Sequence, residues 1–235
     1  MQPAPACDWS GLYIGGNVGI TEFYTRITDD NEFETFRTTS TADTGAFIGG
    51  AQIGYNYQLG QLVVGVELDA SGSTAEIKKD PCVDNDCSPS GEGFHNTSRV
   101  DFLMTLRGRA GFSLDDNKFL LYATAGGAYA HGKWDSFYFD DPASNGNSTA
   151  ADWRGDDWRW GWVGGFGAEY KFDCHWSVRG EALLTWLFED TKPVTGPTGS
   201  DTFENERNNY KFTFSDDLYT FRVGVNYSFG SFFGH

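Results

Sequence analysis

The sequence lacks any long apolar run. No stretch approaches the roughly 20 consecutive residues that a membrane-spanning helix needs, so a helical membrane protein is excluded. Basic residues are also scarce. Lys and Arg together number 17 against 33 Asp and Glu, a net charge of -16 over 235 residues. A chain that acidic has no footprint for gripping nucleic acid. Helical periodicity is almost absent. The 4 histidines, His95, His131, His175 and His235, are scattered without metal-ligand spacing. No Gly-x-Ser-x-Gly or comparable nucleophile motif occurs, and the glycine-rich stretches do not open helices as phosphate loops do. The chain is therefore expected to be no enzyme and to carry no cofactor and no metal.

What is abundant is glycine, 30 residues, and aromatic side chains, 17% of the chain. That aromatic content argues against disorder. Two kinds of β-rich chain have this composition: a soluble barrel or sandwich, and an outer-membrane barrel.

Period-2 alternation recurs along the chain. From Trp176 to Phe188 one face carries Trp176, Val178, Gly180, Ala182, Leu184, Trp186 and Phe188. The other carries Ser177, Arg179, Glu181, Leu183, Thr185 and Leu187. The same design appears over 100–114, where Val100, Phe102, Met104 and Leu106 oppose Asp101, Thr105, Arg107 and Arg109. It appears again over 219–229, 160–172 and 64–70. Three glycine-richer segments, 12–20, 46–57 and 119–130, bring the expected strands to eight, an even number that suits an antiparallel barrel. Short links alternate with long ones at about 21–45, 71–99, 131–159 and 188–217. Short turns at one rim and long loops at the other are the layout of an outer-membrane barrel. Four such loops are unusual in a compact soluble domain. The expected organisation is an amino-terminal periplasmic segment, 1–8, a barrel, 9–229, and a carboxy-terminal extension, 230–235.

Alternation alone does not say which face is inside, and a soluble barrel would turn its apolar face inward around a ligand. Charge helps to decide. The polar faces hold Glu67, Asp69, Asp101, Glu169 and Glu181 against Arg107, Arg109, Lys171, Arg179 and Arg222. A balanced set suits a closed interior, where an unpaired charge is costly. Eight strands enclose a space just wide enough for side chains to fill. These ten residues are expected to plug the barrel with ion pairs, and the acid excess then falls on the loops.

Four cysteines in an exported chain suggest disulfides. Cys82 and Cys87 share a loop; Cys7 and Cys174 both fall at the periplasmic rim and pair if the barrel brings them close enough. Trp153, Trp158, Trp160, Trp162, Trp176 and Trp186 fit aromatic girdles at headgroup level. Arg154-Gly155-Asp156 spells an adhesion tripeptide in the third loop, and His95 or His131 could ligate haem; solvated rim residues are the plainer reading of both.

The last strand reads Arg222-Val223-Gly224-Val225-Asn226-Tyr227-Ser228-Phe229. Arg222, Gly224, Tyr227 and Phe229 resemble the signal by which barrel-assembly machinery recognises a final strand. The chain as a whole resembles the small outer-membrane surface-antigen family of alphaproteobacteria, porin-family or opacity-like barrels related to the outer membrane protein A transmembrane domain. The resemblance lies in Asp8-Trp9-Ser10-Gly11-Leu12-Tyr13-Ile14-Gly15-Gly16-Asn17, in 49–57, in Val64-Gly65-Val66-Glu67, in Leu106-Arg107-Gly108-Arg109, in Leu121-Tyr122-Ala123-Thr124 and in the final strand. It implies an all-β, eight-stranded, up-and-down transmembrane barrel in the outer membrane of a Gram-negative cell, with a structural and surface role. Its implied partners are outer-membrane lipid and lipopolysaccharide, the assembly machinery, and neighbouring envelope proteins or lateral homo-oligomers. Loop-mediated binding of haem or a host receptor, or a small low-conductance pore, is the alternative. Export calls for a signal peptide; Met1-Gln2-Pro3-Ala4-Pro5-Ala6 has no apolar core, so the numbering is expected to begin near the mature amino terminus.

Overall fold

A computed structural model describes residues 7–29, 39–41, 45–79, 93–139, 150–194 and 210–230. These form nine strands, with no helix among the described residues: β1 (Gly11–Asp29), β2 (Thr39–Thr41), β3 (Ala46–Leu59), β4 (Leu62–Lys79), β5 (Gly93–Leu114), β6 (Phe119–Phe139), β7 (Ala150–Lys171), β8 (Trp176–Val194) and β9 (Tyr210–Ser228). Each long strand pairs antiparallel with the next, and β9 returns to β1 along Tyr13↔Ser228 through Asp29↔Phe212. Eight long strands therefore close into a barrel; three-residue β2 extends the row of β3 against β1. Between the turn end and Gly161↔Leu187 closure leaves no unpaired edge, the condition for a sheet to cross a bilayer.

The short turns are built for sharp reversal. Gly60 has φ 62°, and Asp115, Asp116 and Asn117 all take positive φ, the left-handed region that Asp and Asn tolerate best after glycine. In the β7–β8 turn, Asp173 accepts hydrogen bonds from the backbone N–H groups of His175 and Trp176 at 2.7 and 2.8 Å. Those two bonds hold its carboxyl below the usual carboxylate range.

At the opposite end the strands run further than alternation indicates. β5 and β7 each have 22 residues, about twice what a tilted strand needs to cross a membrane. Much of the intervals expected as loops, 21–45, 71–99, 131–159 and 188–217, is therefore paired strand. Along these extensions the pairing continues while the hydropathic alternation that marks a strand in sequence fades. Arg154-Gly155-Asp156 is one casualty: it lies within β7, paired with Asp135, Trp134 and Lys133 of β6, and not in a loop.

The outward faces carry the apolar residues. Val66, Leu106, Phe166, Phe221 and Val223 are each more than half exposed on the barrel wall. Trp158, Trp160, Trp162 and Trp186 also point outward, towards the loop end, and Trp176 points outward at the turn end. Trp153 lies in β7, and its side chain is outside the described set.

Candidate functional site

Inward-facing residues fill the barrel in three tiers. The first closes the end with the short turns. Trp9 is 3% exposed and packs with Val63, Leu120 and Tyr122. Its indole N–H donates to Ser113 Oγ at 3.1 Å, and its backbone N–H donates to Gln58 Oε1 at 2.7 Å. The Lys171 ammonium donates to the Asp8 carbonyl and lies 4.4 Å from the Trp9 ring centroid, a cation–π contact. A disulfide between Cys7 and Cys174, Cα atoms 5.0 Å apart, ties this segment to the β7–β8 turn. Cys82 and Cys87 lie outside the described residues.

The second tier is ionic. Glu67 on β4 accepts from Arg107 and from Arg179, and Arg107 Nη1 reaches Glu181 at 3.5 Å. Arg179 pairs with Glu181 at 3.2 Å. Arg222 divides itself between Glu181 and Asp69, each at 2.8 Å. Arg109 pairs with Glu169 at 2.9 Å, and its guanidinium carbon lies 4.0 Å from the Tyr122 ring centroid. Neutral donors saturate what the arginines leave: the Tyr13 hydroxyl donates to Glu67 at 2.6 Å, that of Tyr122 to Glu181 at 2.8 Å, and the Asn226 amide to Glu169 at 2.7 Å. Every carboxylate and guanidinium here is at most 5% exposed. Four acids face four arginines, so the buried set is neutral.

Two glycines make room for the phenols. A Cβ on Gly54 would lie 2.3 Å from the Tyr13 ring, and one on Gly167 would lie 2.6 Å from that of Tyr122. Real side chains never approach so closely, so each glycine is required by the phenol that crosses it.

The third tier, towards the loop end, is apolar. Phe23, Ile48, Val100, Leu103, Ala128, Ala130, Val163, Leu183, Leu187 and Leu218 form one buried cluster. The Thr21 and Thr220 hydroxyls, 3.0 Å apart, lie at the boundary with the ionic tier. Leu183 and Leu187 do share a face with Arg179 and Glu181, as alternation indicates. That a whole greasy layer sits inside the barrel was not anticipated; the signal was the leucine content of that face.

Of the ten residues expected in the interior network, the structure brings eight together. Lys171 faces inward but sits apart, in the first tier. Asp101 is a correction: it is not in the network. A bulge interrupts the β5–β6 register between Val100 and Phe102. The extra residue shifts the phase of the strand. Val100, expected on the outer face, becomes fully buried inside. Asp101 lies instead 2.6 Å from the Nδ1 of His131 and 3.1 Å from the ammonium of Lys133. His131, a candidate haem ligand, is thus already engaged, and the side chain of His95 is outside the described set.

In the final strand, Arg222 joins the ionic tier. Tyr227 and Phe229 meet edge to face at 5.1 Å between centroids, and Tyr227 meets Trp176 at 5.0 Å, at the turn rim. Gly224 lies against β1 beside Asn17, a Cβ there falling 2.8 Å from the Gly16 carbonyl.

A closed, eight-stranded antiparallel barrel with an apolar exterior, a neutralised ionic interior and short turns at one rim is a transmembrane barrel of the outer-membrane class. Sequence comparison agrees: the chain belongs to the outer membrane protein β-barrel domain family, which matches residues 1–229. It is 31% identical over 236 residues to the 31 kDa outer-membrane immunogenic protein of Brucella melitensis, covering 97% of this chain and 86% of that one. It is 33% identical over 126 residues to a 22 kDa outer membrane protein of Rhizobium leguminosarum, covering 52% of this chain and 44% of the other. Among solved structures, the outer membrane protein OprG of Pseudomonas aeruginosa aligns with a TM-score of 0.46 at 15% identity, covering 95% and 98% of the two chains. The protein is located in the outer membrane.

Proposed function

We propose that this protein is a non-enzymatic structural barrel that stiffens the outer membrane and carries acidic loops to its surface without conducting solute. The observation that supports this most is the filled interior: a neutral cluster of four carboxylates and four guanidiniums, each at most 5% exposed, beneath a continuous apolar layer. Water and ions crossing the barrel would have to break the first and wet the second. Both are costly, because a buried charge stripped of its partner is strongly destabilising and an apolar constriction excludes water.

In this reading the outward tryptophans anchor the barrel at the two headgroup levels, as amphipathic rings do. Arg222, Gly224, Tyr227 and Phe229 present the final strand to the assembly machinery, and the excess acid of the loops faces neighbours or a host. A gene deletion distinguishes this function from that of a pore. Loss of a sealing, structural barrel raises uptake of small hydrophilic dyes and sensitivity to detergent. Reduced uptake in the deletion strain would mark the protein as a pore and overturn the proposal.

A further inference from the structure

The outer wall of β4–β7 carries a charged row at its loop end that none of the three tiers uses. Glu76, Arg99, Lys133 and Asp156 are successive cross-strand partners: Glu76↔Arg99, Arg99↔Lys133 and Lys133↔Asp156. The order of charge across the row is acid, base, base, acid. Arg99 and Lys133 therefore stand directly opposite each other, with Glu76 on the far side of Arg99 and Asp101 beside Lys133, so that two cations are held side by side on the outer wall. Both side chains are open to the outside, 47% and 54% exposed.

Among the described residues, each cation has donors to spare. The single contact from Arg99 to Glu76 is 3.5 Å long, and Lys133 spends one ammonium hydrogen on Asp101 at 3.1 Å. A guanidinium offers five donors and an ammonium three. The bulge at Asp101 fixes this geometry. It places the carboxylate between His131 and Lys133, and His131 packs on Trp158 with centroids 4.7 Å apart. On the membrane side lies an aromatic floor: Trp158 stacks on Tyr129 at 4.8 Å and meets Phe102 edge to face at 6.0 Å. Rings at that position mark the acyl–headgroup boundary of the outer leaflet. The two cations stand one step above it, where lipid phosphates lie.

We propose that Arg99 and Lys133 bind a phosphate monoester on the amino-sugar headgroup of an outer-leaflet glycolipid. The phosphate bridges the two cations, taking up the donors that Glu76 and Asp101 leave. Asp156, 74% exposed at the end of the row, accepts from hydroxyl groups of the sugar. The acyl chains run down past Phe102, Tyr129 and Trp158. A free phosphate ion would use the cations but gain nothing from the aromatic floor, so the lipid-borne group is the ligand.

The test uses the full chain refolded in detergent micelles and native mass spectrometry. The probes are bisphosphorylated lipid A, its dephosphorylated counterpart, and inorganic phosphate. The wild-type protein should retain the phosphorylated glycolipid in preference to the dephosphorylated one. Lys133→Gln should weaken that retention about fivefold, and Arg99→Gln with Lys133→Gln should abolish the preference, each cation at a membrane surface contributing on that order. Lys118→Gln, in the turn at the opposite rim, should change nothing. Both cations are on the surface, so the double variant should fold with the wild-type heat-modifiability shift. Equal retention of the two glycolipids overturns the proposal, as does a double variant that binds like the wild type. Displacement of the glycolipid by inorganic phosphate at matched concentration also overturns it, since the site would then serve a free anion.

Discussion

Single residues of the ionic tier are worth more to the barrel than their ion pairs suggest. Taking eight charges out of water costs nearly as much as their pairing returns, so an apolar replacement of the whole set could be neutral. Removing one member is different. Arg107→Ala would leave Glu67 and Glu181 each short of a cation in a site from which water is excluded. The expected loss is about 3–5 kcal/mol, read as a lower urea midpoint for unfolding from lipid vesicles. Gly54→Ala acts on the same tier through shape. The added methyl displaces the Tyr13 ring and with it the hydrogen bond to Glu67, for an expected cost of about 1–3 kcal/mol in the same measurement.

At the scale of elements, the amino-terminal segment behaves as a part of the barrel although it is not a strand. Trp9 is its anchor and the Cys7–Cys174 disulfide its staple, joining residues 167 apart in sequence. Cys7→Ser should therefore lower stability by about 2–4 kcal/mol, and dithiothreitol should lower the urea midpoint of the wild type more than that of the variant. The β7–β8 turn adds a pH dependence. The Asp173 carboxyl ionises more readily in the folded turn than in the unfolded chain, because two backbone N–H groups point at the carboxylate. Its contribution is present above the ordinary carboxylate pKa and fades as pH falls through the lowered folded value. Asp173→Ala should reduce stability at pH 7 and make little difference at pH 2.

The elements also show what the sequence could reveal. Strand identity in the bilayer was legible, because alternation is strict wherever one face meets lipid and the other meets charge, as along Arg179, Glu181 and Leu183. The inward direction followed from charge balance. Two features were not legible. The bulge at Asp101 is a one-residue change of phase with no compositional mark, so Val100 and Asp101 were expected on each other's faces. The strand extensions beyond the membrane, such as the part of β7 that holds Arg154-Gly155-Asp156, lack the lipid boundary that imposes the pattern.

For the molecule as a whole, the tiers divide the work. The periplasmic end is closed by Trp9 and Lys171, the middle by neutralised charge, and the loop end by an apolar layer. Under the proposed function, each layer resists a different intruder: bulk, ions and water respectively. The acid excess of the chain, a net charge of -16, therefore falls outside the ionic tier, whose four acids and four arginines cancel. Leu103→Asp would breach the apolar layer by setting an unpaired charge in it, and heat-modifiability on a gel should show a lower unfolding temperature for that variant.

The filled interior is the claim on which the rest depends, and single-channel recording of the refolded wild-type protein in planar bilayers tests it most directly. The account predicts a flat baseline across the voltage range at which the bilayer itself is stable. Stable, reproducible open-channel steps from the wild-type chain would contradict it.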